Sequence, residues 1–566
     1  MLPSGEANRC LCMSTERMVT DLREVLPGPM RATKNEVAHR DWFMALTVGY
    51  ALLAGLCVRA LLVLSSDLPL YDGGLFYAMV QDLKAARYGL PLYTSYNLAH
   101  IPFTYPPLAL YLAAVLSDLT PLSLLDIFRF LPLAVNTLTI AAFFFLARAM
   151  LSDRTAAGFA TLIFALLPGS FRFFIGGGGL TRSLGLLFAV LTLYHLHELL
   201  VRGGKRWLLL SILCGSCAVL SHPEMALFVT YSSLFFWAVY GRSRQGLRSG
   251  LAVAAGVLAL TAPWWLTSLL RHGLGPFLAA TARNGYGYLD VRSLAQLNLT
   301  DEQSLPVLGF LCCLGILVCL AERRYFLPGW LLAVMILQSR DPRQENSVVV
   351  ALLAGIGVTS ALVPLLERWR AGMAGRSGLE ELAPEGACSR WRPLTRGVLV
   401  FVALFATIWA ILGYPANLQS VSREEEQAMA WVAENTPESS KFLIVTGALG
   451  GDMTFEWFPA LTGRANAAPV QGQEWVGGFI DRVAQDAQLQ KCANEGVACI
   501  ESWASQTHTS FSHVFLPKRQ AVYQVLPNDE CCWSLREALR ADARYQLIYD
   551  GPGATVFRRL EAFEMP

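Results

Sequence analysis

The sequence predicts an all-α polytopic membrane domain followed by a C-terminal extracytoplasmic α/β domain, on three observations. Of its 566 residues, 54% are hydrophobic and only 16% charged, against about 25% charged in an ordinary soluble domain; mean hydropathy is +0.41. The apolar residues gather into runs near the roughly 20 residues that cross a hydrocarbon core as a helix. Beyond residue 416 those runs stop, and shorter polar, periodic segments replace them. A net charge of +2 with no basic run argues against a nucleic-acid partner.

Residues 1–42 are polar and mixed in charge, without the short apolar core and small-residue site of a cleaved leader, and are expected to form a disordered cytoplasmic tail. The membrane domain is expected over 43–415, with about eleven spans at 43–65, 124–149, 155–174, 181–201, 206–221, 224–240, 249–270, 304–321, 325–338, 346–366 and 397–415. The connections test this register. With the N-terminus inside, "VRGGKR", "GRSRQGLRSG", "AERR" and the 367–396 loop all fall on the cytoplasmic side. About twenty Lys and Arg then lie inside and about nine outside, as the positive-inside rule requires. An odd number of spans sends the C-terminus out. The expected location is a plasma (inner) membrane.

In the 416–566 region, "REEEQAMAWVAENTP" has apolar residues at helical spacing and a proline stop, "FLIVTG" reads as a buried strand, and "SLREALRADARYQLIYDGPGATVFRR" reads as helix, strand, turn, strand. Of thirteen cysteines, those within spans, such as Cys214 and Cys217, read as small core residues. Cys492, Cys499, Cys531 and Cys532 fall in the exported domain, where disulfides in any of three pairings are open to them.

The first outer loop, 66–123, holds the most informative stretch. Asp72 precedes "GGLFYAMVQDLKAARY", whose Leu75, Phe76, Met79, Val80 and Leu83 share one helical face, as in a helix lying in the membrane interface. "YPPLALYLAAVLSDL" then starts a second short apolar helix with prolines in its first turn. A first span, a loop that opens on an acid, an interfacial helix and then Tyr105-Pro106-Pro107-Leu108 resemble the GT-C superfamily of polyprenyl-phosphate-sugar-dependent glycosyltransferases, such as the protein O-mannosyltransferases and aminoarabinose transferases. The resemblance is best over residues 43–200. It implies that Asp72 is the catalytic base, that the donor is a sugar on a polyprenyl phosphate, and that the acceptor is a glycan, lipid or protein outside the membrane. Two departures stand out. Asp72 is followed by Gly73 and Gly74 rather than a second acid, and "FRFFIGGGGLTRSLG" at 171–185 has no acid at all.

The residues support the same chemistry on their own. A polyprenyl chain gains about 0.8 kcal/mol per buried CH₂, so it presents its sugar phosphate at the interface. There the acceptor hydroxyl needs a base and the leaving phosphate needs positive charge or a metal. Asp72 serves as base in this reading, although an Asp before a helix is equally suited to cap it. For the donor, Tyr105, Arg182, Arg340 and Arg343 are the candidate binding residues. Arg182 follows the glycine run at a helix N-terminus, an anion site or simply a tight turn; Arg340 and Arg343 suit phosphate or their own neighbours Asp341 and Glu345. His222 and Glu224 in "SHPEMA" read either as the first turn of a helix or as ligands of a divalent cation (Mn, Mg or Zn) that replace the absent acids. "EWFPALTGR" and "QGQEW" look like binding-loop material without assignable chemistry. A transporter or flippase, which would show internal repeats and charges within spans, and an inactive GT-C-like scaffold are the rival readings.

Overall fold

The computed structural model describes residues 34–283, 299–300, 302, 305–338, 342–376, 393–412, 420–448, 452–519 and 531–560. Arg340 lies outside them. A helix stands at each of the eleven expected span positions: α1 (Lys34–Leu64), then, after the first-loop helices α2 (Gly74–Ala85) and α3 (Leu108–Leu119), α4 (Leu124–Met150), α5 (Arg154–Leu166), α6 (Gly179–Arg202), α7 (Lys205–Val219), α8 (Pro223–Tyr240) and α9 (Arg244–His272). A short α10 (Gly275–Arg283) precedes α11 (Val307–Ala321), α12 (Phe326–Leu337), α13 (Pro342–Ile356), α14 (Val363–Arg376) and α15 (Pro393–Leu412). Among the described residues, five apolar helical stretches are long enough to cross a membrane: 44–64, 124–150, 179–202, 244–272 and 343–369. The chain is thus a multi-pass membrane protein. At 1.5 Å per residue, the 12 residues of α12 reach only about 18 Å.

Local signals set several boundaries. Ser123 and Asp126 form a reciprocal capping box at the start of α4, and Asp153 caps α5 through the Thr155 N–H, satisfying donors that a first turn leaves unpaired. The expected span 155–174 stops at Leu166, where Pro168–Ser170 turns the chain. The turn is held by a residue the sequence reading passed over. Arg59, fully buried in α1, donates to Asn136 Oδ1 at 2.6 Å, to the carbonyls of Gly55 and Ala165, and to Ser170 Oγ. A buried guanidinium is tolerable only when its donors are matched in this way.

The C-terminal region contains α16 (Arg423–Asn435), β1 (Lys441–Ile444), α17 (Met453–Thr462), β2 (Ala465–Asn466), α18 (Phe479–Lys491), α19 (Val497–Gln506), β3 (His513–Pro517), α20 (Trp533–Ala541), β4 (Tyr545–Asp550) and β5 (Ala554–Arg559). The strand order is β2-β1-β3-β5-β4, with β1 parallel to β2 and β3, and β5 antiparallel to β3 and β4. Side chains alternate across a strand, and here the alternation joins two cores. Phe442 and Ile444, Phe515, and Ala554 and Val556 point into the core shared with the first loop. Leu443, Val445, Val514, Leu516 and Phe557 build a second core on the other face. The cysteines pair as Cys492–Cys499 and Cys531–Cys532.

On that outer face Gln490 accepts the Thr446 and Gly447 N–H groups and donates to Asp486 Oδ1 at 2.9 Å. Burial pushes the Asp486 carboxyl up to about 6. The folded state therefore resists its ionisation, so the contribution of Asp486 to stability is fully present below about pH 4 and is lost as pH rises through about 6, by up to roughly 3 kcal/mol. Asp486→Asn, which keeps the hydrogen bond without the charge, is expected to raise the melting temperature at pH 7.5 and to flatten its pH dependence between 4 and 6. Melting curves of both proteins across that range measure it.

The amphipathic α2 departs from expectation. Its apolar face (Leu75, Phe76, Met79, Val80 and Leu83) is buried, but against protein: α2 packs between α3 and α17. The fit is close enough that a Cβ on Gly74 would come within 2.1 Å of the Glu456 carbonyl oxygen. The C-terminal domain takes the place that the sequence pattern assigns to the interface.

Candidate active site between the first loop and the glycine run

The backbone around Asp72 is held in uncommon conformations. Tyr71 has φ 57°, which costs a non-glycine residue on the order of 1–3 kcal/mol and is sustained only by surrounding contacts, and Gly73 follows at φ 152°, a conformation glycine adopts freely. Three such contacts are present. The Gly177 N–H donates to the Leu70 carbonyl at 2.7 Å and the Gly178 N–H to the Asp72 carbonyl at 2.5 Å. From the C-terminal domain, Trp457 Nε1 donates to the Tyr71 carbonyl at 2.9 Å.

These contacts explain the four consecutive glycines. A Cβ on Gly176 would meet the Leu70 carbonyl at 2.8 Å, one on Gly177 the Asp72 carbonyl at 2.7 Å, and one on Gly178 the Asp72 Oδ1 at 2.5 Å. The run is a close-packed turn whose Gly177 and Gly178 N–H groups bind the first loop, so they are not displayed to an anion. The helix cap reading of Asp72 is likewise set aside. Gly73 occupies the cap position of α2, and no side chain caps the helix. The Asp72 carboxylate instead turns to Arg182 in the first turn of α6, with Oδ2 at 3.3 Å from a guanidinium nitrogen. Both side chains are largely but not fully buried, at 24% and 16% exposure.

Tyr105 joins the pair from the YPPL segment. Its hydroxyl lies 3.2 Å from Thr181 Oγ1, one residue before Arg182, and burial pushes its phenol well up. Its ring packs on Phe76, Trp475 and the His222 imidazole at 4.6, 5.8 and 6.2 Å. The segment is fixed from below by Leu108, whose N–H donates to the Leu220 carbonyl at the end of α7. Arg182 also lies in the electrostatic field of Glu224 and Glu456, but its carboxylate contact is with Asp72.

His222 caps α8, its Nδ1 accepting the Glu224 N–H at 3.2 Å. The helix-start reading of "SHPEMA" is therefore realised. No group of three or more His, Cys, Asp or Glu side chains suited to a metal exists among the described residues. His222 and Glu224 thus gain no third protein ligand of these types among the described residues. Of the other sequence candidates, Arg343 stands at the start of α13, its carbonyl 2.4 Å from where a Cβ of Gly169 would be. That is a packing contact with the 168–170 turn. Elsewhere in the first loop, Asp82 accepts from Thr94 Oγ1 and the Ser95 N–H, which makes it a loop staple.

Sequence reasoning missed the contributions of Thr181, Trp457, Trp475 and Glu456. The only signal was the loop-like composition of "EWFPALTGR" and "QGQEW". Both segments fold over the first loop: Tyr96 donates to the Glu456 carbonyl at 2.7 Å and also reaches Gln471 Oε1 at 3.2 Å.

Gly178→Ala is expected to separate Asp72 from Arg182, since the three atoms nearest the added methyl all belong to the Asp72 carboxylate. A loss of function of about 10²-fold, for displacement by an ångström, with normal membrane insertion is the expected outcome in a transfer assay.

The architecture is a membrane helix bundle followed by a C-terminal α/β domain. Three solved structures share that architecture: the archaeal oligosaccharyltransferase AglB from Archaeoglobus fulgidus, in complex with an inhibitory peptide and a dolichol-phosphate (TM-score 0.51, 14% identity, 84% of this chain and 69% of that one); ArnT from Cupriavidus metallidurans, bound to undecaprenyl phosphate (0.51, 15%, 91% and 97%); and the arabinofuranosyltransferase AftD from Mycobacteria (0.52, 14%, 92% and 40%). The chain shares its fold with these three membrane proteins. A family profile described as a 6-pyruvoyl-tetrahydropterin synthase related domain of membrane proteins matches residues 103–282. No curated protein matches by sequence.

Proposed function

We propose that this protein is an inverting glycosyltransferase that moves a sugar from a polyprenyl-phosphate donor to an envelope acceptor on the outer face of the membrane. The observation that carries the reading is the Asp72–Arg182 pair at 3.3 Å, at the junction of the first loop, the glycine run and the C-terminal domain. In this scheme the acceptor hydroxyl attacks the anomeric carbon, and its proton passes to the Asp72 carboxylate. The bond from that carbon to the phosphate oxygen breaks, and the lipid phosphate leaves with the Arg182 guanidinium stabilising its charge. Tyr105 and Thr181 offer hydroxyls to the same phosphate. Both the dolichol-phosphate of the AglB complex and the undecaprenyl phosphate of the ArnT complex are consistent with a lipid-phosphate donor.

The positive-inside pattern supports an N-terminus in the cytoplasm and a C-terminal domain outside. Its paired cysteines suit that side, since disulfides persist in oxidising compartments. Incubation of the reconstituted protein with a panel of polyprenyl-phosphate sugars tests the reading. Release of free polyprenyl phosphate together with a glycosylated acceptor is expected. Movement of intact donor across the bilayer without release would instead identify a flippase.

A further inference from the structure

A cavity of about 940 Å³ lies between α4, α5, α8, α12 and the turn that links α13 to α14. It sits at the end of the bundle opposite Asp72. The same α8 that begins at His222, beside Tyr105, ends at Tyr240, which lines the cavity. Eighteen residues at 1.5 Å each separate them by about 27 Å, close to the thickness of a hydrocarbon core. The cavity is therefore a second site on the other leaflet. It does not rest on the sugar-transfer reading.

Its wall is apolar, with Leu234, Phe235, Phe326 and Leu327 facing the void. Leu234 at 62% and Tyr325 at 61% exposure mark an opening on the side of the bundle that meets lipid. The rim is cationic: Arg242 and Arg324 both line it, and both are exposed. The connections 148–154, 241–248 and 321–324 around this end hold seven arginines against two acids, Asp153 and Glu322. Of those acids, Asp153 is engaged by the Thr155 N–H and Glu322 by Arg324 Nε at 3.1 Å. The floor is irregular. Residues Gly357–Leu362 form a π-helical turn within the otherwise continuous α13–α14 rod, a feature that recurs at functional sites. It carries the hydroxyls of Thr359 and Ser360 to the cavity.

An apolar slot with a lateral opening, hydroxyls at its base and two arginines at its polar rim matches one ligand chemistry in both parts. We propose that this cavity binds an anionic phospholipid of the leaflet opposite the Asp72 site, acyl chain along Leu234, Phe235 and Phe326, phosphate between Arg242 and Arg324. The volume falls in the range of small-molecule sites. Each arginine near a lipid phosphate contributes enough attraction for roughly a fivefold preference, so the pair should favour an anionic over a zwitterionic headgroup by on the order of 10- to 30-fold.

The test uses the full-length protein in nanodiscs holding equal phosphatidylglycerol and phosphatidylcholine, with retained lipid counted by native mass spectrometry. Wild type is expected to keep one phosphatidylglycerol per chain. Arg242→Gln with Arg324→Gln should reduce that retention at least tenfold, and Leu234→Trp, which fills the opening and leaves the charges in place, should abolish it. Equal retention of the two lipids by wild type would overturn the proposal. So would undiminished phosphatidylglycerol in the double variant, or a void from which no lipid is recovered.

Discussion

Replacing Asp72 by Asn is expected to slow sugar transfer by about 10²–10⁴-fold, the usual contribution of a positioned general base, while the protein remains folded and membrane-inserted. The structure is what separates the two effects. Had Asp72 capped α2, removing its charge would loosen the first loop. The cap position belongs to Gly73, without a side-chain bond, and the loop is held by backbone pairing to Gly177 and Gly178. Asn preserves the shape and an acceptor for Arg182. Because the pair is partly exposed to solvent, the cost in stability should stay within ~1–2 kcal/mol. Initial rates in proteoliposomes, set against melting temperature in detergent, measure both. A variant that melts far below wild type would return Asp72 to a structural role, and one that transfers sugar at the normal rate would remove it from the chemistry.

The largest effect on stability is expected from Trp457→Ala. This indole is 2% exposed and lies edge-on to Tyr77 and Phe128 at 6.0 and 6.3 Å. It approaches Gly73 and Gly177 so closely that a Cβ on either would come within about 3 Å of its ring. Truncating a buried tryptophan costs about 3–5 kcal/mol. Here it also strips the Tyr71 carbonyl of its donor, a further penalty of about 1–3 kcal/mol for an unsatisfied buried group. Since Tyr71 precedes Asp72, activity should fall with stability. Trp457→Phe, which restores packing but not the N–H, should recover most of the melting temperature and less of the activity. Calorimetry alongside limited proteolysis of the C-terminal domain would show whether the two domains come apart. If Trp457→Ala melts like wild type, the indole does not hold them together.

The sequence was most informative where one physical signal dominates. Every expected span position carries a helix, because an apolar run near the bilayer length leaves a chain few other ways to satisfy its backbone groups. The N-terminal portion of the C-terminal region was legible for a similar reason: the helical spacing and proline stop of "REEEQAMAWVAENTP" and the apolar run of "FLIV" are local. The candidate site was legible in part. Asp72, Tyr105, Arg182, His222 and Glu224 were each visible as polar or aromatic residues at the ends of apolar segments, and the structure gathers them. Arg343 was visible by the same criterion, and its backbone carbonyl lies against Gly169 in the 168–170 turn. Arg59 went unread because a lone arginine within an apolar run discloses no partner, and its four acceptors lie in other helices or one turn away.

By itself, then, the sequence determined a membrane bundle, its helical segments and the short list of side chains able to move a proton or bind a phosphate. Those follow from composition and periodicity along one chain. Only the tertiary structure decided that Asp72 pairs with Arg182 and does not cap α2, that the glycine run is a packed turn and not an anion cradle, and that α2 lies beneath Trp457 and Glu456. Each of those outcomes depends on contacts between residues more than a hundred positions apart, whose geometry no local pattern records.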